Sequence, residues 1–510
     1  MPDPTTDAGL KSLARKGSVL SRTARGAGWI IGWRFVNRAL GLVSTLILVR
    51  LLVPSAFGIV ALSMNLMQSI SSLSEAGVIG AIIRNENPDR ELYDTGFTIN
   101  AMRGLLTGVV VAALAVPISR FFNNPAMVDV LYVVAVGSTI SALENIGIVD
   151  FRRFIAFDKE FQLKLFPRLL SVVSGITLAF WLRNYWALVD AILINQIATV
   201  IMSYLIHPYR PRLTLSGWRR ISGYSVMIWL ITLVGVAQGA ASNVVIGRVS
   251  GTGDVGIYGV GAEIAGLPSS ELIGPLCRAA FSGFSEARQG GDNGATMMLR
   301  MLGLMATITV PAGFGLSLIA YPLIKLGFGK EWLGAVPLLE IFGIATTVTI
   351  FGSIASTLFA VQAWLKASLK LNVALMILRL ALLLALVPPY GLIGAAIAVS
   401  IIDVVSQIVY FMVMTRRLQV SVSAIGARIW RALVGTGVMT AVLLLCNLGW
   451  GPWTGRNPIL AWHMAGAIAL GAATYAITIL LLWLASRRPD GAEADLLLTI
   501  NRVTRRAVDR

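Results

Sequence analysis

Long apolar blocks, each broken by a short polar or basic stretch, run the length of this chain. A helix needs about 20 residues, at ~1.5 Å rise each, to cross ~30 Å of hydrocarbon. By that measure the blocks predict fourteen spans: 28–50, 57–81, 96–118, 126–148, 167–183, 187–207, 224–247, 255–282, 297–324, 333–360, 368–388, 391–415, 431–450 and 459–485. Several exceed 25 residues, which implies tilt or bending, and Pro268 and Pro311 are the expected kink sites. Two connections carry a pattern of their own. Residues 10–27 (LKSLARKGSVLSRTARGA) and 151–166 (FRRFIAFDKEFQLKLF) mix apolar positions at helical spacing with basic ones. Each predicts an amphipathic helix lying on the cytoplasmic interface, held by anionic lipid and apolar insertion.

Lysine and arginine are distributed unevenly between the loops. The odd-numbered connections hold seven: Arg50, Arg120, Arg183, Arg248, Lys325, Lys330 and Arg456. Most of the others gather in the amino terminus, the even-numbered loops and the carboxyl tail. Basic loops stay on the cytoplasmic side, so both termini are expected there, in agreement with an even number of crossings.

Composition narrows the class. Apolar residues make up 56% of the chain and charged residues 13%, against ~25% charged in soluble domains. Too little polar surface remains to cover a soluble core, so the fold class is an all-α polytopic membrane protein. A net charge of +17 would point a soluble domain toward nucleic acid. Here the bases lie between apolar segments and follow the topology, so no nucleic-acid partner is expected. Cys277 and Cys446 both sit inside apolar stretches, which excludes a disulfide framework or a CxxC site. His207 and His463 match no paired-ligand spacing and read as interfacial or packed imidazoles. No metal, cofactor or phosphate-cradling GxxxxGK motif is expected. Residues 1–27 lack the compact apolar core of a cleavable signal peptide.

The chain repeats itself. RLLVPSAFG runs from Arg50 to Gly58 and RVSGTGDVG from Arg248 to Gly256, an offset of 198. Pro117/Arg120 matches Pro322/Lys325 at 205, Tyr185 matches Tyr390 at 205, and the Leu-Lys-Leu at 163–165 matches that at 369–371 at 206. Ordered matches at nearly constant offset indicate duplication. Six spans per repeat is an even number, so both copies face the same way and imply a pseudo-two-fold axis along the membrane normal. The expected organisation is an amphipathic amino-terminal segment (1–27), a lobe of six spans (28–207), a cytoplasmic linker (208–223) and a second lobe (224–415). Two extra spans (416–485) and a basic tail (486–510) follow. Two bundles that rock about a central site are the architecture of an alternating-access carrier.

Six segments carry a further likeness: LVRLLVPSAFGIVAL (48–62), EAGVIGAIIR (75–84), RFFNNPAM (120–127), YWALV (185–189), HPYRPRL (207–213) and VIGRVSGTGDVGIYG (245–259). In this order and spacing they resemble the polysaccharide-transporter, or oligosaccharide flippase, family of the multidrug/oligosaccharidyl-lipid/polysaccharide exporter superfamily. Within it the chain is most similar to the branch that includes colanic-acid-type exporters. The resemblance implies a flippase of the bacterial inner membrane that moves an undecaprenyl-diphosphate-linked oligosaccharide from the cytoplasmic to the outer leaflet. It implies lipid-linked oligosaccharide and membrane lipids as partners, with a polysaccharide polymerase and glycosyltransferases as further candidates. The chain departs from the pattern after Tyr258, where Gly259-Val260-Gly261-Ala262-Glu263 replaces a bulky aromatic-and-basic stretch.

A diphosphate headgroup carries roughly two negative charges through a region where unpaired charge costs several kcal/mol. Arginine suits it, because the planar guanidinium donates bidentately. The candidates for a diphosphate-binding cavity are Arg34, Arg38, Arg278 and Arg379. Arg103 and Arg300 lie within about two turns of a span end, where snorkelling explains them. Arg34 and Arg38 are four apart and stack on one helical face. Arg379 and Asp403 lie at similar distances either side of the Pro388-Pro389-Tyr390 turn, which invites an ion pair. Asn65 and Glu263 are repeat mates at offset 198. With Asp403 they are the candidate polar or coupling groups.

Two other functions compete. A drug or cation antiporter of the same superfamily would want an acidic cavity. A membrane-embedded glycan ligase or polymerase would want an acid or base over an outward-facing site. The outward loops are short, and their acids are chiefly Asp254 and Glu331.

Overall fold

The computed structural model describes residues 19–73, 78–85, 88–154, 156–218, 226–269, 277, 295–354, 365–454 and 457–487. They form two compact units, Met1–Gly256 and Ile257–Arg510. Among the described residues the regular structure is helical.

The first unit holds α1 (Val19–Leu51), α2 (Pro54–Leu73), α3 (Val78–Arg84), α4 (Arg90–Phe121), α5 (Ala126–Ser141), α6 (Val149–Arg153), α7 (Phe157–Leu182), α8 (Trp186–Ile206), α9 (Val226–Val249) and the start of α10 (Thr252–Ala265). Local chemistry starts and stops these helices. Asp89 caps α4 by accepting from the Leu92 N–H at 3.1 Å, and Asn124 accepts from the Ala126 N–H at 3.1 Å to open α5. Helix α7 ends on Arg183 in the left-handed region (φ 48°), and the next residue, Asn184, accepts from the Trp186 N–H at the head of α8. Small residues then set the helix pairs. A β-carbon on Gly108 would lie 2.4 Å from Thr139 Oγ1, so α4 and α5 approach too closely for anything larger. Between α7 and α8 the Ser171 hydroxyl donates to the Ala191 carbonyl at 2.8 Å.

The duplicated motif is visible as packing inside this unit. A β-carbon built on Gly58 would fall 1.6 Å from the Thr252 carbonyl oxygen, and one on Gly256 would fall 2.0 Å from that of Pro54. Pro54 and Thr252 are repeat mates, as are Gly58 and Gly256. The start of α2 therefore crosses the start of α10 by equivalent contacts in both directions, the signature of a local two-fold. Asn124 donates to Thr252 Oγ1 at 3.2 Å, and the Arg248 guanidinium lies 5.7 Å from the Phe121 ring centroid. Three of the six family-like segments thus meet at one end of the unit.

The second unit holds the rest of α10, α11 (Ala295–Leu318), α12 (Ala320–Gly327), α13 (Ala335–Thr346), α14 (Leu365–Leu418), α15 (Val422–Leu445) and α16 (Asn457–Ala485). Its core gathers Met298, Leu302, Met305, Val310, Ile350, Met414 and Ile425. The last two helices and their connection pack onto α11: Tyr475 of α16 donates to the Thr307 carbonyl at 2.6 Å, and Trp450, between α15 and α16, donates to Ser317 Oγ at 2.8 Å. In α14 the backbone of Gly391 turns to φ 55°, ψ −132°, which breaks the helix into a hairpin.

Eight helices among the described residues are long and apolar enough to cross a membrane, or nine if the bent pair 126–141 and 146–153 counts as one. One of the eight is the α14 hairpin, which accounts for two predicted spans. Trp181 is 84% exposed and Leu445 83% exposed. Such side chains on apolar helices face lipid, not water.

Several expectations are revised. Residues 157–166 do not form a separate surface helix but the opening turns of α7, and 19–27 likewise run straight into α1. Residues 10–18 lie outside the described residues. Pro311 sits inside an unbroken α11; the break comes later, at Ile319. The eighth span is interrupted at Gly266, two residues ahead of Pro268, which has no N–H to donate to the carbonyl four residues back at Ile264. The fourth bends by 66° after Ser141.

Candidate functional site

In the first unit, α1 lies against α7 and the two enclose a cavity of about 340 Å³. It is lined by Trp29, Trp33 and Arg34 from α1, by Phe157, Glu160, Phe161 and Lys164 from α7, and by Arg152 from α6. Helical periodicity explains both walls: Trp29 and Trp33 are four apart, and 157, 161 and 164 fall on one face. The Trp29 and Phe161 ring centroids are 4.9 Å apart, and Trp33 meets Phe161 edge-on at 6.2 Å. Glu160 accepts from Lys164 Nζ at 2.8 Å and from Arg152 Nη2 at 2.9 Å, which fixes both cations at the wall. With Arg34 the lining carries three cations against one carboxylate, a formal balance of +2.

The seam between these helices continues inward. Arg168 is one turn beyond Lys164 on α7, and its guanidinium packs on Gly41 of α1, with Nη2 3.6 Å from where a β-carbon would stand. Its Nε is buried and makes no hydrogen bond. Sequence reading passed over Arg168 because it counts as one more base near a span end. Its i, i+4 and i+7 relation to Lys164 and Phe161 was the available signal.

The predicted cavity residues divide between the units. Arg34 is exposed and lines the pocket; Arg38, one turn on, and Asn65 of α2 are half-buried. In the second unit Glu263 is exposed on α10. Arg379 Nη1 approaches Asp403 Oδ1 at 3.8 Å across the α14 hairpin. Arg278 lies outside the described residues.

The segment HPYRPRL has a clear job that sequence reading left open. It begins a strap, residues 207–218, laid across the first turns of α4. Asp94 accepts from Tyr209 Oη at 2.6 Å and from the Arg212 N–H at 2.7 Å; Thr98 accepts from the Thr214 N–H at 2.9 Å and Thr95 from the Gly217 N–H at 3.2 Å. Burial, then the hydrogen bond to Asp94 and its charge, push the Tyr209 hydroxyl well above its ordinary range. His207 is buried beside Phe151, with Nε2 3.5 Å from Asp150 Oδ2, a packed imidazole. Asp150 also accepts from Tyr93, to which Arg153 donates at 3.0 Å. Asn145 joins strap to bundle: Nδ2 donates to the Tyr209 carbonyl at 2.7 Å and Oδ1 accepts from the Gly147 N–H at 3.0 Å. Asn145→Ala strands that buried N–H and is expected to cost roughly 1–3 kcal/mol. A lower thermal midpoint in detergent, with faster proteolysis within 207–218, is the check.

A family model described as polysaccharide biosynthesis protein matches residues 47–337, more than half of the chain. The chain belongs to this family. Within the polysaccharide biosynthesis proteins it is similar to the lipopolysaccharide biosynthesis protein WzxC of Escherichia coli (strain K12). The two are 21% identical over 407 residues, 78% of this chain and 82% of that one. It is also similar to the succinoglycan biosynthesis transport protein ExoT of Rhizobium meliloti (strain 1021), 22% identical over 326 residues, 63% of this chain and 65% of that one. Among solved structures, the lipid II flippase MurJ in an inward closed conformation superposes with a TM-score of 0.71. That match has 13% identity and covers 90% of this chain and 99% of that one. The fold is that of the exporter superfamily named above.

Proposed function

We propose that this chain moves undecaprenyl-diphosphate-linked oligosaccharide repeat units across a bacterial inner membrane for polysaccharide export. The role is transport, not catalysis. Its two six-span lobes, 28–207 and 224–415, alternate access to a shared cavity, and both termini face the cytoplasm. The observation that carries this reading is the family match over 47–337, which takes in the duplicated motif and all six family-like segments. WzxC and ExoT, named for lipopolysaccharide biosynthesis and succinoglycan transport, agree with it. The charge balance supports the same class: the lining at α1 and α7 is cationic, as a diphosphate requires and an organic cation does not.

The test is leaflet transfer. Purified protein is reconstituted into vesicles holding a fluorescent polyprenyl-diphosphate saccharide, and a membrane-impermeant reductant bleaches the outer leaflet. With active protein the bleached fraction is expected to rise from about half toward completion. Vesicles that stay at half, with protein folded and inserted, remove this reading.

A further inference from the structure

The pocket between α1 and α7 combines two recognition chemistries in one place. Its aromatic wall of Trp29, Trp33 and Phe161 offers apolar faces of the kind against which the C–H face of a sugar ring lies, together with two indole N–H donors. Its cationic wall sets Arg34, Arg152 and Lys164 around a single carboxylate. Glu160 ties Arg152 and Lys164 down, so their remaining N–H groups are fixed in place rather than free to sweep through solvent. At about 340 Å³ the space is near the lower bound of ligand pockets, ~300–1,000 Å³. That is room for one sugar ring and its phosphate, not for an oligosaccharide. Arg168, with a buried Nε that makes no hydrogen bond, continues the cationic seam toward the span interior.

We propose that this pocket, formed within the first unit alone, is a docking site for the sugar–diphosphate headgroup of the lipid-linked saccharide. The first sugar stacks on Trp29 and Trp33, the diphosphate meets Arg34, Arg152 and Lys164, and the rest of the glycan extends through the open mouth. Arg168 stands one turn further in, positioned to receive the phosphate as the headgroup moves on. Selectivity at this site falls on the first sugar and the diphosphate, the parts that fit, and leaves distal sugars unread. This deepens the transport reading and rests on it.

The experiment uses full-length protein in nanodiscs and a short-chain polyprenyl diphosphate bearing one hexose with a diazirine on the sugar. Photo-crosslinks are expected in the peptides carrying 29–34 and 157–164. Trp29→Ala with Trp33→Ala should lower labelling at least tenfold, and Trp29→Phe with Trp33→Phe should restore most of it, which separates stacking from misfolding. Arg34→Gln should weaken labelling about tenfold. The same lipid lacking its sugar should compete at least tenfold less well than the sugar-bearing lipid, and phosphatidylglycerol not at all. Labelling confined to other peptides overturns the site, as does equal competition by phosphatidylglycerol, which would make it a phospholipid headgroup site. The same purified protein, reconstituted into sealed vesicles, is scored for leaflet transfer. Transfer without pocket labelling sinks the pocket alone, whereas no transfer with a labelled pocket sinks the transport reading and leaves the site.

Discussion

Gly58→Ala and Gly256→Ala are each expected to destabilise the protein severely and to abolish polysaccharide export, although alanine adds only one carbon. In the native crossing the new atom would stand 1.6 Å from the Thr252 carbonyl oxygen, or 2.0 Å from that of Pro54. Both obstacles are backbone, so no rotamer change relieves the clash and the helices themselves must part. Overpacking a well-filled site costs ~1–3 kcal/mol when side chains can yield, and the effect here should reach or exceed the upper end. The contact is reciprocal, so the two substitutions should resemble each other in magnitude. Gly253→Ala, three residues before Gly256 in the same helix, meets nothing within 4 Å and should leave stability and export near wild type. Thermal unfolding in detergent and a cell-surface glycan assay read both effects. Equal behaviour of all three variants would mean that the helix starts do not cross as described.

That crossing shows what a single sequence exposes and what it hides. The duplication is legible because Arg50–Gly58 and Arg248–Gly256 keep the same spacing, but nothing in the spacing says that the two copies touch. The spanning class is legible for a simpler reason: crossing hydrocarbon fixes helix length and apolarity together, and each of the fourteen blocks overlaps helix in the described residues, eight or nine of those helices being long and apolar enough to cross. The ends are less so. Residues 157–166 are amphipathic whether they lie on a membrane surface or extend α7 beyond it, and periodicity reads the same in both cases. The 66° bend after Ser141 rests on Asn145, whose side chain satisfies the Gly147 N–H and reaches Tyr209, 64 residues away. No local pattern announces such a partner. For the same reason Arg34 is identifiable as a cation in a span, while its companions Lys164 and Arg152 become visible only when α1 lies against α7.

The largest electrostatic effect is expected at Arg379 and Asp403. Each is twelve residues from Gly391, one on either arm of the α14 hairpin. Twelve residues of helix span about 18 Å, so both stand near the middle of ~30 Å of hydrocarbon. A continuous helix would separate them by about 36 Å; the observed 3.8 Å follows from the reversal at Gly391. A charge left alone at that depth costs roughly 2.5–3.5 kcal/mol on insertion scales. Asp403→Leu and Arg379→Leu should therefore each lower the yield of folded protein in membranes and its thermal midpoint. Removing both charges should cost less than the two losses together, because the double variant leaves no lone charge behind. The exchange Arg379→Asp with Asp403→Arg should recover a large part of the loss, since equal depth makes the two sites interchangeable to first order. A double-mutant cycle with a coupling of at least ~1 kcal/mol is the expected result. If the single losses simply add, the two groups do not pair in the folded protein. Export separates structure from substrate handling: an exchange variant that regains folded yield yet exports nothing would assign Arg379, in its native place, to the headgroup as well as to Asp403.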